Sequence, residues 1–209
     1  MSINYIKNFF LDKDVGSVTP TSQVCIKRVC ERINFSTAKT LVEFGPGGGC
    51  FTRFMLSKMN PDARLIAIEK NGAIVETLKK DPALEDPRFS LVEDSVTNAG
   101  KILEEHGAGA GEVDAIVSGV PFAMFDDELR KKIIFEANNI LKKDGKFIIY
   151  QFYPPITWKG KKLDDYLAEQ MHLADKSVEF PNIPPLRIFE AVRKDLDSSP
   201  AEALSLIHI

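Results

Sequence analysis

The clearest chemistry in the sequence lies in residues 43–49, where an acidic residue precedes a turn that contains four glycines. An apolar segment comes before this stretch, and Cys50 to Leu56 has the pattern of a helix start. A strand, a glycine turn and a helix in this order hold nucleotide-like ligands in open α/β folds. Cys50 stands where a dinucleotide fingerprint has its last glycine, so the turn argues against a pyrophosphate ligand.

Carboxylates stand at the ends of three successive predicted strands. Glu43 precedes the turn, where it repels phosphate and suits a cationic group such as an amino-acid ammonium. Glu69 is placed to accept from both hydroxyls of a ribose, and Asp94 to accept from an adenine amino group. Each could also be a solvated residue or a cap, and Asp94 could cap the turn that follows it.

Together the three carboxylates describe a nucleoside with a cationic amino-acid group and no phosphate, and S-adenosylmethionine is the common ligand of that kind. Open α/β sheets bind ligands at this edge, so three carboxylates there are more specific than any one of them. The residues predicted to bind this methyl donor are Glu43, Phe44, Gly45, Pro46, Gly47, Gly49, Glu69, Lys70, Asp94, Ser95, Ser118 and Gly119.

Alternating apolar patterns predict the elements that position these residues. Strands are expected at 40–44, 65–69, 89–93, 113–118 and 146–152, and short β segments at 177–182 and 186–193. Helices are expected at 22–34, 50–59, 71–80, 98–106, 126–141 and 163–173. The pattern predicts a Rossmann-like, doubly wound α/β fold with a mostly parallel seven-stranded sheet, a C-terminal antiparallel hairpin and an N-terminal amphipathic helix.

The two ends of the chain lie outside this pattern. Residues 3–11 are apolar at Ile3, Ile6, Phe9 and Phe10, which predicts a short amphipathic helix that packs on the protein itself or on a lipid interface. We therefore expect residues 1–20 to be this helix and a connector, serving as a membrane or substrate lid, and residues 21–194 to be the catalytic domain. Residues 195–209 do not fit the fold and are expected to be a cloning or sequencing scar or a truncated end.

Composition limits the function classes. At 209 residues and 44% hydrophobic content the chain is long enough for one domain with a full core. The sequence has no apolar run of roughly 18 residues and no signal-peptide pattern. We therefore expect no membrane-spanning helix and no secretion. Cys25, Cys30 and Cys50 lack metal-site spacing and suit a reducing cytosol, and the histidines are too scattered for a metal site. Both ends are basic and the centre is acidic, which suits a phosphate-facing surface or is ordinary scatter.

The chain resembles the class I S-adenosylmethionine-dependent methyltransferases, and more narrowly the bacterial phospholipid N-methyltransferases that convert phosphatidylethanolamine to phosphatidylcholine. Four segments carry the resemblance, at residues 15–22, 43–47, 118–122 and 184–189. The chain is also similar to the ribosomal RNA adenine dimethyltransferases. Those enzymes have an Asn-x-Pro-Tyr/Phe segment after strand four, whereas this chain has Ser118 or Gly119 at the Asn position, which argues against an adenine target.

The resemblance implies roles for residues near the methyl group, where the enzyme holds nitrogen, methyl and sulfur in line and an aromatic face favours a cationic amine. It places the segment after strand four beside that group. The candidate catalytic residues are Ser118, Phe122 and Tyr153, although Phe122 could be plain core and Tyr153 plain surface; no general base is evident. The expected substrate-binding residues are Tyr5, Phe9, Val120, Pro121 and Arg187, with Lys159, Lys161 and Lys162 as weaker phosphate partners.

The same resemblance implies a cytoplasmic protein that associates peripherally with the inner face of the cell membrane through its N-terminal helix, acts on a lipid and binds no nucleic acid. Two alternatives stay open. One is a methyltransferase of ribosomal RNA or of a small molecule on the same fold, and the other is a noncatalytic membrane-associated protein that binds the nucleoside.

Overall fold

Short apolar strands alternate with amphipathic helices and form one seven-stranded sheet with helices on both faces. A computed structural model of the protein describes residues 21–153 and 161–195. The strands are β1 Thr40–Phe44, β2 Arg64–Glu69, β3 Phe89–Glu93, β4 Val113–Ser118, β5 Leu141–Phe152, β6 Met171–Glu179 and β7 Leu186–Arg193. The helices are α1 Gln23–Cys30, α2 Cys50–Lys58, α3 Gly72–Leu78, α4 Ala99–Glu105, α5 Asp127–Ile140 and α6 Leu163–Gln170.

The strand order in the sheet is β3-β2-β1-β4-β5-β7-β6. The first five strands pair in parallel, and β7 pairs antiparallel with both β5 and β6. The order reverses between β1 and β4, and ligands of open α/β sheets bind beside the carboxyl ends of the strands at such a point. The predicted Rossmann-like sheet with a C-terminal antiparallel hairpin is therefore confirmed.

Neighbouring residues of each central strand face opposite sides, and each side has its own core. Val42 contributes to the core that includes residues of α4, α5 and α6, whereas Leu41 contributes to the core that includes residues of α1, α2 and α3. Strands buried on both faces read as continuous apolar runs, which is why β1 and β2 were recognisable in the sequence.

Several element boundaries differ from the predicted ones. The helix α1 ends at Cys30 rather than near residue 34, and the side chain of Val24 near its start is 48% exposed. The strand β6 begins at Met171, where the predicted helix was still running, because it pairs with β7 along its whole length. Tertiary pairing therefore outweighs a weak local pattern at this sheet edge.

Polar contacts attach α1 to the β6–β7 hairpin. The backbone N–H of Ser22 donates to Asn182 Oδ1 at 2.8 Å, and the side chain of Ser22 caps the helix. Arg32 donates to Asp175 at 2.7 Å and to Glu190 at 3.0 Å. The Ser22 bond fixes the start of α1 beside the tip of the hairpin, and the Arg32 bonds fix the residues that follow the end of the helix.

The predicted N-terminal helix and connector, 1–20, lie outside the described residues, as does the tail beyond Asp195. Cys25, Cys30 and Cys50 are free thiols. Within 21–153 and 161–195, none of the helices is long and apolar enough to cross a bilayer.

Candidate active site

The glycine turn between β1 and α2 lies at the carboxyl edge of the sheet. Gly45, Gly47 and Gly49 have φ angles of 70°, 52° and 73°, a region that only glycine enters readily. A Cβ atom on Gly45 would approach Val120 Cγ1 to 3.1 Å, whereas at Gly47 and Gly48 it would meet no atom within 4 Å. The turn is therefore closed toward the protein and open toward a ligand.

Glu43 lies directly beneath this turn and is almost completely buried. Its carboxylate Oε2 accepts a hydrogen bond from the Thr52 hydroxyl at 2.6 Å, and its Oε1 has no hydrogen-bond partner among the described residues. Burial raises the pKa of Glu43 from 4.5 to about 7, against the opposing effects of the Thr52 hydroxyl and the Arg53 charge. A buried carboxylate with one free oxygen is suited to a cationic or hydrogen-bond-donating ligand.

Glu69 lies at the end of β2, next to the glycine turn. Its Oε1 accepts from the backbone N–H of Asn71 at 2.9 Å. Burial raises the pKa of Glu69, and the backbone N–H groups of Asn71, Gly47 and Lys70 oppose this rise. The Lys70 side chain is exposed to solvent. The carboxylate of Glu69 is therefore held beside the glycine turn.

Asp94 bonds within its own loop, and the cap of the turn that follows is Ser95 rather than Asp94. Its Oδ1 accepts from the backbone N–H of Ser95 at 2.6 Å and from Asn98 Nδ2 at 2.9 Å, and these bonds lower its pKa. The Ser95 hydroxyl bonds to Thr97 at 2.8 Å and caps the next 3₁₀ turn. Both residues lie at the predicted edge, with Asp94 Oδ1 and the Ser95 hydroxyl already used within the loop.

The end of β4 meets β1 and β5 at the same edge. The backbone N–H of Gly119 donates to the Phe44 carbonyl at 2.9 Å. A Cβ atom on Gly119 would lie 2.2 Å from the Tyr150 hydroxyl and 3.2 Å from the Gly45 carbonyl, so the tyrosine closely covers this glycine. The ring of Tyr150 stacks on Phe51 with centroids 4.3 Å apart. Burial and the nearby Glu43 raise the pKa of Tyr150 well above its usual value.

Ser118 lies one residue earlier and therefore faces the opposite side of the sheet from Gly119. It is fully buried, and its Oγ has no hydrogen-bond partner among the described residues. The edge thus brings Glu43, the glycine turn, Glu69 and Gly119 together, whereas the Ser118 hydroxyl is separated from them by the sheet.

The segment after β4 is held by two side chains that the sequence reasoning missed. Arg130 Nε donates to the Phe122 carbonyl at 2.8 Å, and Gln151 Nε2 donates to the Val120 carbonyl at 2.8 Å. The Phe122 ring is fully buried and packs edge-on against Phe125 at 6.2 Å. No part of this ring is exposed to an acceptor, so its placement supports the plain-core alternative over a catalytic role.

Pro121 follows Val120 in this segment. It is partly exposed, whereas the Val120 side chain is 8% exposed and belongs to the core beside Gly45. Of these two residues expected to contact substrate, only Pro121 retains appreciable exposure.

Tyr153 and Arg187 come together at the far side of the edge. The guanidinium of Arg187 lies 4.1 Å from the centroid of the Tyr153 ring, and the backbone N–H of Tyr153 donates to the Pro185 carbonyl at 2.7 Å. The two predicted residues therefore form one cationic and aromatic pair. Tyr5, Phe9 and Lys159 lie outside the described residues, and Lys161 pairs with Glu169.

The residues at the turn fit S-adenosylmethionine. Glu43 supplies a buried acceptor that lacks a partner, Gly47 and Gly48 leave open space, and Glu69 presents a carboxylate next to it. These groups match an ammonium and ribose hydroxyls. The cationic side chain that contacts the turn is Arg53, which donates to the Gly48 carbonyl at 2.8 Å and is paired with Asp81. The described residues contain no group of three or more His, Cys, Asp or Glu side chains that could hold a metal ion.

Thr52 and Tyr150 are two further site residues that were not predicted from the sequence. Thr52 is a polar residue on the buried side of α2, and Tyr150 carries a hydroxyl at the end of an apolar strand. A polar group on an otherwise apolar face is a usable signal in each case, although it does not indicate which partner the group contacts.

Comparison with known proteins gives a consistent class. No protein-family model matches the sequence. The chain is 27% identical over 133 residues to an ornithine lipid N-methyltransferase of Singulisphaera acidiphila, covering 64% of this chain and 68% of that protein. It is 33% identical over 87 residues to ribosomal RNA small subunit methyltransferase H of Burkholderia vietnamiensis, covering 42% of this chain and 26% of that protein.

Solved structures share the fold at low sequence identity. The 1,6-didemethyltoxoflavin-N1-methyltransferase of Burkholderia thailandensis, solved with S-adenosylhomocysteine, has a TM-score of 0.65 at 13% identity, covering 92% of this chain and 86% of that one. A SAM-dependent methyltransferase of Aquifex aeolicus has a TM-score of 0.62 at 13% identity, covering 81% and 89%. The fold is that of the class I methyltransferases, and the relatives and structural neighbours are methyltransferases.

Proposed function

We propose that this protein transfers methyl groups from S-adenosylmethionine to the amine of a lipid headgroup, with phosphatidylethanolamine as the expected acceptor. The observation that carries the donor assignment is the pair of carboxylates, Glu43 and Glu69, beside an open glycine turn. The acceptor class is supported by the similarity to a lipid N-methyltransferase, which extends over most of this chain.

The donor, when bound, supplies an electrophilic methyl group on a sulfonium sulfur. The chain's own residues bind and orient the two reactants, because in-line displacement depends chiefly on alignment and exclusion of water. Ionised Glu43 attracts the donor's ammonium, and Glu69 accepts from the ribose hydroxyls. Gly119 lies beside this position, and the bonds from Arg130 and Gln151 hold the backbone that follows it.

Arg187 and Tyr153 are the residues proposed to bind the lipid headgroup. A guanidinium suits a lipid phosphate, and an aromatic ring beside it suits a methylated, cationic amine. Their contact at the carboxyl edge supports one binding region for a phosphate and an amine, the two groups that a zwitterionic phospholipid headgroup carries.

The test is incubation with S-adenosylmethionine labelled in the methyl group and with each of three acceptors separately. These are vesicles containing phosphatidylethanolamine, vesicles containing ornithine lipid, and small-subunit ribosomal RNA. The proposal expects label in the lipid phase, and Glu69→Gln serves as the matched variant that loses it. Label in RNA alone would support the ribosomal alternative, to which the similarity covers only a quarter of the relative's length.

We also propose that the protein associates with the cytoplasmic membrane surface through residues 3–11, whose apolar side includes Phe9 and Phe10. Deletion of residues 1–11 is expected to abolish sedimentation with vesicles and to leave binding of S-adenosylhomocysteine measurable. Vesicle binding by the deletion variant that is as strong as that of the wild type would refute this role.

A further inference from the structure

Two large apolar side chains project into solvent at the turn of the β6–β7 hairpin. Phe180 is 73% exposed and Ile183 is 78% exposed, and apart from Val24 they are the exposed large hydrophobic residues of the described chain. Single exposed apolar residues are ordinary, but two within four positions of one turn form a patch that is unfavourable in water.

This turn lies at the same edge of the sheet as the glycine turn. Glu179 pairs with Leu186, which in turn pairs with Phe152 at the carboxyl end of β5. The Pro185 carbonyl accepts from the backbone N–H of Tyr153 at 2.7 Å. Phe180 and Ile183 therefore project beside the Tyr153–Arg187 pair, where the acceptor is proposed to bind.

The turn has the chemistry of a segment that leaves water easily. Residues 180–186 contain no charged side chain, and Pro181, Pro184 and Pro185 have no backbone N–H to desolvate. Asn182 is 2% exposed; it accepts from the Ser22 N–H at 2.8 Å and donates to the Pro184 carbonyl at 2.7 Å. The polar side chain of the turn therefore points inward, and its apolar side chains point outward.

We propose that the β6–β7 turn is a membrane-contact site that inserts Phe180 and Ile183 at the boundary between the headgroups and acyl chains of a phospholipid bilayer. The inference rests on the proposed lipid acceptor, and it adds a contact that fixes how the carboxyl edge faces the bilayer. The turn, β7 and Tyr153 are joined by backbone bonds, so insertion brings the proposed acceptor site to headgroup level.

A bilayer suits this patch better than a segment of the same chain does. An amphipathic helix buries its apolar side in a groove or on a flat face. Here the apolar side chains project from the end of a hairpin, and a projection of this kind is buried by entering a fluid phase. Residues 1–20 join α1 beside Asn182, so the proposed lipid contact of residues 3–11 starts from the same edge.

The first test measures vesicle association of the double variant Phe180→Ser/Ile183→Ser. Each lost side chain removes apolar burial that corresponds to about a tenfold factor in partition. We therefore expect the partition coefficient of the double variant, measured by sedimentation with vesicles of phosphatidylethanolamine and phosphatidylglycerol, to be about a hundredfold lower than that of the wild type. Val24→Ser is the matched control and is expected to bind vesicles like the wild type. Binding of S-adenosylhomocysteine by calorimetry is expected to be unchanged in both.

The second test reports insertion directly. Phe180→Trp is made in a Trp158→Phe background, so that the new indole is the only one in the chain. We expect its emission to shift to shorter wavelength on addition of vesicles and to be quenched by lipids brominated on the acyl chain. An indole that is already shielded without vesicles would show that the protein covers the turn, and an indole that stays unquenched with them would show that the turn does not insert; either result overturns the proposal.

The two proposals fail in distinguishable ways. Methyl transfer to phosphatidylethanolamine dissolved in detergent micelles does not require bilayer insertion. If the double variant binds vesicles like the wild type and transfer in micelles is active, membrane contact by the turn is refuted and methyl transfer to a lipid is supported. Turn-dependent vesicle binding without transfer to any lipid supports the membrane contact and refutes the acceptor.

Discussion

Replacing Glu43 with Gln should make the protein without ligand more stable and at the same time impair binding of the methyl donor. The glutamate is 1% exposed, and burial raises its pKa from 4.5 to about 7. Gln has nearly the same shape and retains an oxygen that can accept from Thr52, but it never carries the buried charge.

The magnitude follows from the two pKa values. Between pH 4.5 and 7 the folded protein binds more protons at this carboxyl than the unfolded chain does, so the stability of the wild type falls as the pH rises through that range. With these values the ionisation of Glu43 costs about 1 kcal/mol at pH 5 and about 3 kcal/mol at pH 8. Glu43→Gln should remove this cost and gain about 2 kcal/mol more at pH 8 than at pH 5.

Urea denaturation of the protein without ligand at the two pH values measures this difference. Glu104→Gln, at an exposed position of α4, is the control and should change stability by less than about 0.5 kcal/mol at either pH.

Donor affinity of the wild type should rise with pH, whereas its stability falls. A carboxyl of pKa about 7 is about 9% ionised at pH 6 and half ionised at pH 7, so S-adenosylhomocysteine should bind the wild type about fivefold more tightly at pH 7.

The variant should show little of that pH dependence and should bind more weakly than the wild type at pH 7. A Glu43→Gln protein that is no more stable than the wild type at pH 8 would refute the buried-charge account. So would a stability difference that is the same at both pH values. Donor affinity that is unchanged by the substitution would show that the carboxylate does not contact the donor.

Two further predictions concern the surroundings of Glu43. Gly119→Ala places a methyl group 2.2 Å from the Tyr150 hydroxyl, and we expect it to weaken S-adenosylhomocysteine binding by about tenfold or more, measured by calorimetry. Gly100→Ala in α4, where the new methyl meets Glu136 at an ordinary 3.5 Å, is the control and should leave affinity unchanged. Thr52→Val removes the hydrogen bond that lowers the pKa of Glu43, so less of this carboxyl is ionised at pH 7; affinity there should fall by about fivefold and largely recover at pH 8, and a loss independent of pH would contradict this.

The fold and the donor edge could be predicted from the sequence because their signals are local. Strands buried on both faces produce continuous apolar runs, and the positive φ angles of the turn require glycine at positions that are visible in the sequence. Glu43 and Glu69 are the penultimate residue of β1 and the last residue of β2, so their positions could be predicted once the strands were assigned. The order of the strands then brings these local features to one edge.

The remaining features of the site depend on contacts between distant residues. Gly119 is covered by Tyr150, and Phe122 is turned into the core by a segment that Arg130 holds, and no local pattern encodes either contact. A local signal can also be incomplete. Asp94 lies just after the end of β3, as the sequence indicates, but one of its carboxylate oxygens is bonded within its own loop. The exposure of Phe180 is likewise set by how the hairpin packs on α1.

Methyl transfer to a lipid amine can be read out by mass spectrometry of the lipid product. Purified wild-type protein is incubated with S-adenosylmethionine and vesicles that contain phosphatidylethanolamine, beside a parallel reaction with ornithine lipid. We expect the headgroup amine to gain one or more methyl groups with the wild type and none with Glu69→Gln. Unmodified lipid in both reactions, from a protein that binds S-adenosylhomocysteine, would contradict this expectation.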